Sequence, residues 1–199
     1  MSTFYHDAIV DRSWRTLQSL AQEYAFTLIG GWATWLHTRA AKSTDIDIIV
    51  DFDTLSQLRQ RYEVQKNDRL KKYEVHADGF DIDIYLPFYS TTLALPAEIV
   101  TQHAMVVDGF QVPPVEYLLA LKLGAWNDRR ASAKGQKDLL DIQGLIALTT
   151  RSRLDDCLDH SGISAAARSS LESALTKARK EIRLGAQWLP RDLDRNFDR

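Results

Sequence analysis

The stretch LIGGWATWLHTRAAKSTDIDIIVD, Leu28 to Asp51, decides the fold and poses the functional question. Its apolar opening starts at Phe26 (Phe-Thr-Leu-Ile) and stops at Gly30-Gly31, the pattern of a short buried strand ending in a tight turn. Trp32, Trp35 and Leu36 then recur at helical spacing, which predicts a helix to about Arg39. Asp45 to Val50, DIDIIV, reads as the next strand. Residues two apart in a strand point to the same side. Asp45 and Asp47 therefore share one face, while Ile46 and Ile48 pack on the other.

Two carboxylates placed this close repel each other, and each is forced toward protonation unless a positive charge lies between them. A divalent cation is the economical solution, and hard oxygen donors suit Mg²⁺ held by a few carboxylates together with substrate phosphates. The alternative is a solvated strand face paired with Lys or Arg, since surface charge is the default. Further along, YEVHADGFDIDIYLPF presents a second such strand. Asp78-Gly79 is a hairpin signal. Beyond it Phe80, Ile82 and Ile84 alternate with Asp81, Asp83 and Tyr85. Of the two aspartates, Asp83 lies mid-strand between apolar residues, whereas Asp81 adjoins the turn and reads as solvated. Asp83 is thus the preferred third carboxylate. Gly30-Gly31 add a backbone that can approach phosphates closely, at the start of a helix whose N–H groups attract anions. A phosphate cradle and paired carboxylates together imply a nucleoside triphosphate.

Working outward, Ala8 to Ala25 reads as an amphipathic helix, and Asp53-Thr54 as a cap before a helix from Leu55 to Tyr62. AMVVDGFQV repeats the hairpin pattern at Asp108-Gly109. Pro113-Pro114 closes the strand region. Four helices follow, over Glu116–Trp126, Lys137–Leu148, Arg151–His160 and Ala165–Leu184. The fold class is α+β: a mixed sheet flanked by helices, then a helical part, with a boundary placed at residue 112 (domains 1–112 and 113–199). The tail from Arg191 to Arg199 is charged and reads as frayed. Trp32 and Trp35 read as core, as does Trp126.

Composition bounds the rest. The chain has 199 residues, 45% hydrophobic and 26% charged, with a net charge of −2, so it is not globally a polyanion binder. Cys157 is the only cysteine, which excludes an intrachain disulfide and fits a reducing, cytoplasmic setting. No apolar run approaches the roughly 20 residues of a membrane helix, and the N-terminus lacks the basic start and apolar core of a signal peptide. The five histidines show no metal-ligand spacing. Arg129 to Lys134, RRASAK, is the best basic patch, and reads equally as a solvated loop between helices.

Gly30-Gly31, Asp45-Ile46-Asp47 and Asp83, in that order, resemble the nucleotidyltransferases of the DNA polymerase β-like superfamily. GGWA at Gly30–Ala33 is similar to the branch that modifies aminoglycosides and lincosamides. PVEYLLALKLGAWNDRRASAKGQKDLLDIQGL resembles the abortive-infection toxin branch, through Lys122 and the pair Lys137-Asp138. The resemblance spans Phe26 to Leu148. It departs at the first glycine, where many members carry a following Ser and this chain has Gly31 and Trp32. Arg39, Lys42, Ser43 and Thr44 are the residues that could compensate. The resemblance implies a Mg²⁺-dependent enzyme, with Mn²⁺ as a substitute, in which Asp45, Asp47 and Asp83 are catalytic and hold two ions. Gly30, Gly31, Arg39, Lys42, Thr44, Lys122, Lys137 and Asp138 would bind or position the nucleotide. Lys122 would sit near the triphosphate, although on its helix it also reads as a core-edge lysine. Asp138 would orient a basic group or the nucleotide. The implied partners are a nucleoside triphosphate and an acceptor hydroxyl, on an RNA end or a small molecule. A non-catalytic subunit of a toxin–antitoxin pair, with a cognate toxin or antitoxin protein, is the competing reading.

Overall fold

The computed structural model describes residues 2–185. Its elements run α1 (Ser2–Glu23), β1 (Thr27–Ile29), α2 (Gly30–Thr38), β2 (Ile46–Ile49), α3 (Phe52–Arg61), β3 (Gln65–Asn67), β4 (Lys72–Ala77) and β5 (Phe80–Tyr85). They continue with α4 (Ala97–Gln102), β6 (Met105–Val107), β7 (Phe110–Val112), α5 (Val115–Arg129), α6 (Ala133–Ile146), α7 (Arg151–His160) and α8 (Ala165–Gly185). The fold is α+β. Five strands form one mixed sheet in the order β1-β2-β5-β4-β3, and β6-β7 form a separate ribbon. Within the sheet only β2 and β5 run parallel. That pairing needs a crossover, which α3 and the β3-β4 hairpin supply.

Alternation sets the two faces of the sheet. Ile46 and Ile48 of β2 and Phe80, Ile82 and Ile84 of β5 are buried, while Asp81, Asp83 and Tyr85 take the opposite face. Trp32 is fully buried and its indole N–H donates to Ser13 Oγ at 2.9 Å, so the polar edge of a large apolar ring is satisfied. Trp14 packs on Trp32 at 4.9 Å and on Phe110 at 5.5 Å between ring centroids, tying α1 and α2 to β7. Trp35 is half-buried at the edge of this cluster, and Trp126 is core. After Val112 the described residues form helices only. One continuous cluster of buried apolar side chains includes both the sheet and these helices, and α2 packs on α5 and α6.

Several boundaries differ from the sequence reading. Asp45 lies one residue before β2 and not inside it. The cap of α3 is Asp51, which accepts from the Thr54 N–H at 2.7 Å; Asp53 belongs to the first turn. β3 escaped notice because Gln-Lys-Asn is a polar edge strand with no alternation to read. α4 escaped because six residues after Pro96 are too few to show a helical period. In the basic stretch Arg129–Lys134 only residues 130–132 form a loop, since α5 ends at Arg129 and α6 starts at Ala133 with Ser132 as its cap, accepting from the Gly135 N–H at 3.1 Å. The charged tail from Arg191 lies outside the described residues.

Candidate functional site

The site lies on the polar face of the sheet, at the end where β1 turns into α2. Asp47 is the register partner of Ile29 in β1 on one side and of Asp83 in β5 on the other. The parallel β2-β5 pairing sets the Asp47 and Asp83 side chains next to each other on one face. Asp45 precedes them and its Oδ1 accepts from the Asp81 backbone N–H at 3.3 Å. The Asp81 side chain is turned to His76, with 2.8 Å between Oδ1 and Nδ1, and is half-exposed. Asp83, not Asp81, is thus the carboxylate beside Asp47.

The glycines explain how Asp47 is seated. Gly30 has φ +68°, and a Cβ there would overlap the Asp47 carboxylate. Only glycine meets both conditions without strain. A Cβ on Gly31 would overlap Ser43 Oγ and reach within 3.7 Å of Lys137 Nζ. Ile29, the N-cap of α2, provides no side-chain acceptor, so the first-turn N–H groups face this corner without a capping side chain. Ser43 is buried; its hydroxyl donates to the Asp45 carbonyl at 3.1 Å and accepts from Lys137 Nζ at 3.3 Å. Carboxylates, a hydroxyl, an ammonium and a helix N-terminus therefore meet at the double glycine.

The electrostatics match this crowding. Asp47 is pushed up to about 6, by burial first and then by Asp83 and Asp45, against the pull of Lys122 and Lys72. Burial also raises Asp83, opposed by its bond to Lys72. The Tyr85 phenol is held well above its usual value by burial and by the charges of Asp47 and Asp83. Lys137 is held below the usual lysine value by burial and then by the Lys122 ammonium.

Two lysines touch the carboxylates. Lys134 Nζ lies 3.3 Å from Asp45 Oδ2, with a side chain 70% exposed. Lys72 Nζ lies 2.6 Å from Asp83 Oδ2 and 2.8 Å from Glu74 Oε1, with a side chain 10% exposed. The sequence reading passed over Lys72 and Glu74. The signal was present: the hairpin at Asp78-Gly79 pairs Ala77 with Phe80, and counting back along β4 sets Glu74 opposite Asp83.

Lys122 departs from the picture of a lysine at the core edge. It is buried, with Nζ 3.1 Å from Asp138 Oδ1 and 2.7 Å from Asp141 Oδ2. Arg129 adds two bonds to Asp138, at 2.7 and 3.1 Å. Both Asp138 oxygens are thus taken by basic side chains. The Lys122 charge still acts on Asp47, although Asp47 is not bonded to it. Arg39 is drawn elsewhere: it ends α2, pairs with Asp108 and lies over the Trp35 ring at 4.7 Å. Lys42 is exposed and Thr44 half-buried in the loop before β2.

Among the described residues, no three His, Cys, Asp or Glu side chains are gathered so as to hold a metal ion by themselves. The donor chemistry nevertheless fits a hard divalent ion that shares its ligands with substrate. Asp45 and Asp47 supply carboxylate oxygens, the Gly30 backbone leaves room for Asp47, and Asp47 carries a charge that its surroundings disfavour.

No protein-family model matches the sequence, and no curated protein does. In three dimensions the chain is similar to an antigenic nucleotidyltransferase-like protein from Paracoccidioides brasiliensis, with 18% identity and a TM-score of 0.42, over 85% of this chain and 93% of that one. It is similar to JHP933 from Helicobacter pylori, with 15% identity and a TM-score of 0.42, over 90% and 96%. The Megavirus polyadenylate synthase matches 70% of this chain with 12% identity and a TM-score of 0.47; the match spans 30% of that larger protein. These likenesses are of chain course alone. No helix among the described residues is long and apolar enough to cross a membrane.

Proposed function

We propose that this chain is a nucleotidyltransferase, moving a nucleoside monophosphate from a nucleoside triphosphate to an acceptor hydroxyl on an RNA end or a small molecule. The observation that carries this reading is the side-by-side pairing of Asp47 with Asp83 at the N-terminus of α2, with Asp47 seated against the bare backbone of Gly30. An acid-rich corner abutting a helix N-terminus and a buried lysine suits a polyphosphate that arrives with a divalent ion.

Asp45 and Asp47 would hold Mg²⁺, or Mn²⁺ in its place, which supplies Lewis-acid neutralisation of charge on the triphosphate and the departing pyrophosphate. The first-turn N–H groups at Gly31, with Lys137 and Ser43, bind phosphate oxygens; they are the donors grouped at that corner. Lys134, exposed and loosely held on Asp45, transfers to the polyphosphate when it binds. Asp83 accepts the proton of the acceptor hydroxyl, a task suited to a carboxylate whose proton affinity burial has raised. The hydroxyl oxygen bonds to the α-phosphorus as the bond to the bridging oxygen breaks, and pyrophosphate leaves. Lys122 favours the ionised Asp47 carboxylate through its charge alone, while Asp138 and Asp141 fix its position.

The test is incorporation of label. The protein is incubated with each α-labelled nucleoside triphosphate and Mg²⁺, with total RNA in one arm and a metabolite extract in the other. Label should enter one pool and pyrophosphate should be released. If neither pool takes label and no triphosphate binds in the presence of Mg²⁺, the reading fails.

A further inference from the structure

Lys72 stands where a further cation would otherwise be needed. It is the first residue of β4, and its ammonium bridges Asp83 and Glu74, which face each other across the β4-β5 register. Glu74 is itself committed: Asn67 Nδ2 lies 3.2 and 3.3 Å from its two oxygens. Asn67 is fixed in turn, since its Oδ1 accepts from the Leu70 N–H at 2.9 Å. Three adjacent strands therefore hold the ammonium in place. Lys134 is the contrast, a solvated side chain on a single carboxylate that can leave without losing its hydration.

Resting on the nucleotidyl-transfer reading, we infer that Lys72 is a resident cation in the place of a second metal ion, so that the site takes one divalent ion, at Asp45 and Asp47. A two-ion centre needs a further carboxylate shared between or beside the ions. The carboxylate available, Asp83, already has one oxygen on an ammonium at 2.6 Å. Admitting another ion there means either crowding two cations onto one carboxylate or drawing Lys72 away. Its side chain is nine-tenths buried and bonded to two carboxylates, so displacing the ammonium costs it both partners and leaves Glu74 without its counter-charge. Asp83 remains on the site's face with one oxygen not bound by Lys72, free to receive the acceptor proton.

Equilibrium dialysis against Mn²⁺, with and without a non-hydrolysable nucleoside triphosphate analogue, counts ions per chain. With the analogue present, the wild type should bind one ion beyond those carried by free nucleotide. Lys72→Met should bind two, with an electron paramagnetic resonance spectrum broadened by coupling between ions roughly 3.5–4 Å apart. Lys72→Arg, which keeps the charge, should return the count to one. Two ions on the wild type, or one on a folded Lys72→Met, overturns the inference and leaves nucleotidyl transfer standing. No Mn²⁺ on the wild type in either condition overturns the metal-dependent reading as well. If Lys72→Met does not fold, the wild-type count still decides.

Discussion

Two ion clusters lie close together in this protein and are built on opposite plans. In the helical part, Lys122 and Arg129 face Asp138 and Asp141: two positive groups, two negative, with both aspartate side chains 2% exposed. On the sheet, Asp45, Asp47, Asp83 and Glu74 meet Lys72 and the solvated Lys134. The helical set is balanced and closed around its two aspartates and Lys122, with Arg129 half-exposed at its rim, while the sheet set is acid-rich and open at one end. A balanced buried set holds helices in register. An unbalanced set invites positive charge from solution, and Asp47, whose proton affinity is raised by burial first and then by Asp83 and Asp45, carries part of that demand. The clusters are coupled, because Lys122 is among the groups that lower Asp47.

The largest expected effect breaks the open cluster. Asp47→Asn removes a proposed ligand of the ion itself, so it should reduce nucleotidyl transfer by more than about 100-fold, the most that losing an outer-shell partner of a metal site costs. It should not unfold the protein, since it removes a charge the fold disfavours. Label incorporation and a thermal melt on the same sample check both halves. An active, destabilised Asp47→Asn would reverse the assignment of the two clusters.

The closed cluster should respond in the opposite sense. Lys122→Ala leaves Asp141 buried without its ammonium, and removing one partner of a buried pair costs about 3–5 kcal/mol. Urea unfolding should show this as a lower midpoint. Lys134→Ala, on an exposed pair, should stay within about 1 kcal/mol of wild type. If Lys122→Ala is as stable as Lys134→Ala, the distinction between closed and open sets fails.

Much of the open cluster was legible in the sequence and little of the closed one. Period-two alternation gave Asp45 and Asp47 a common face, and Asp78-Gly79 fixed the hairpin that carries Asp83. Strand geometry is local, so spacing alone was enough. What joins β2 to β5 is a parallel pairing across 36 residues from Asp47 to Asp83, for which no local signal exists. Lys122 and Asp141 lie on different helices, and helical spacing says which residues share a face but not which face meets another helix. Lys122 therefore read as a lysine able to reach outward. Arg39 and Lys42 looked suitable because they precede the aspartates, but proximity along the chain did not bring Arg39 to them. Ser43, the residue after Lys42, is the one whose hydroxyl faces Gly31.

Acid titration sharpens the contrast. In the metal-free protein Asp47 has a folded value of about 6 against 3.8 when unperturbed, and Asp83 is shifted the same way. The native state therefore binds more protons than the unfolded chain between about pH 4 and pH 6. Stability contributed by this pair is greatest at the acid end and falls as pH rises toward 6. Lys122 is raised, so its contribution holds below its unfolded value of 10.5 and is lost only at higher pH. Denaturation midpoints at pH 4.5 and pH 7 (about these values) in wild type and Asp47→Asn isolate the open cluster. The mutant should lose part of the acid-side gain, and Mn²⁺ affinity of the wild type should fall as pH drops through about 6. An identical pH response in both proteins would mean that Asp47 carries no unusual proton affinity.

The smallest expected effect concerns Arg39, which the sequence placed with the nucleotide. It pairs with Asp108 at the turn between β6 and β7 and lies over Trp35, with about half of both charged side chains exposed. An exposed ion pair contributes about 0–1 kcal/mol, and an exposed cation over an aromatic ring about 0.5–1 kcal/mol. To reach a phosphate at the double glycine Arg39 would have to give up both contacts. Ser43 and Lys137, by contrast, already face that corner and give up much less. Arg39→Ala should therefore change nucleotide affinity by less than about 2-fold, whereas Lys137→Ala should weaken it by roughly 10-fold or more, the loss of a charge-assisted contact of about 1.5–3 kcal/mol. Titrating one triphosphate at fixed Mg²⁺ into wild type and both variants ranks them. If Arg39→Ala is the weaker binder, the phosphates leave the double glycine toward the β6-β7 ribbon, and Asp108 is the residue that releases Arg39 when they arrive.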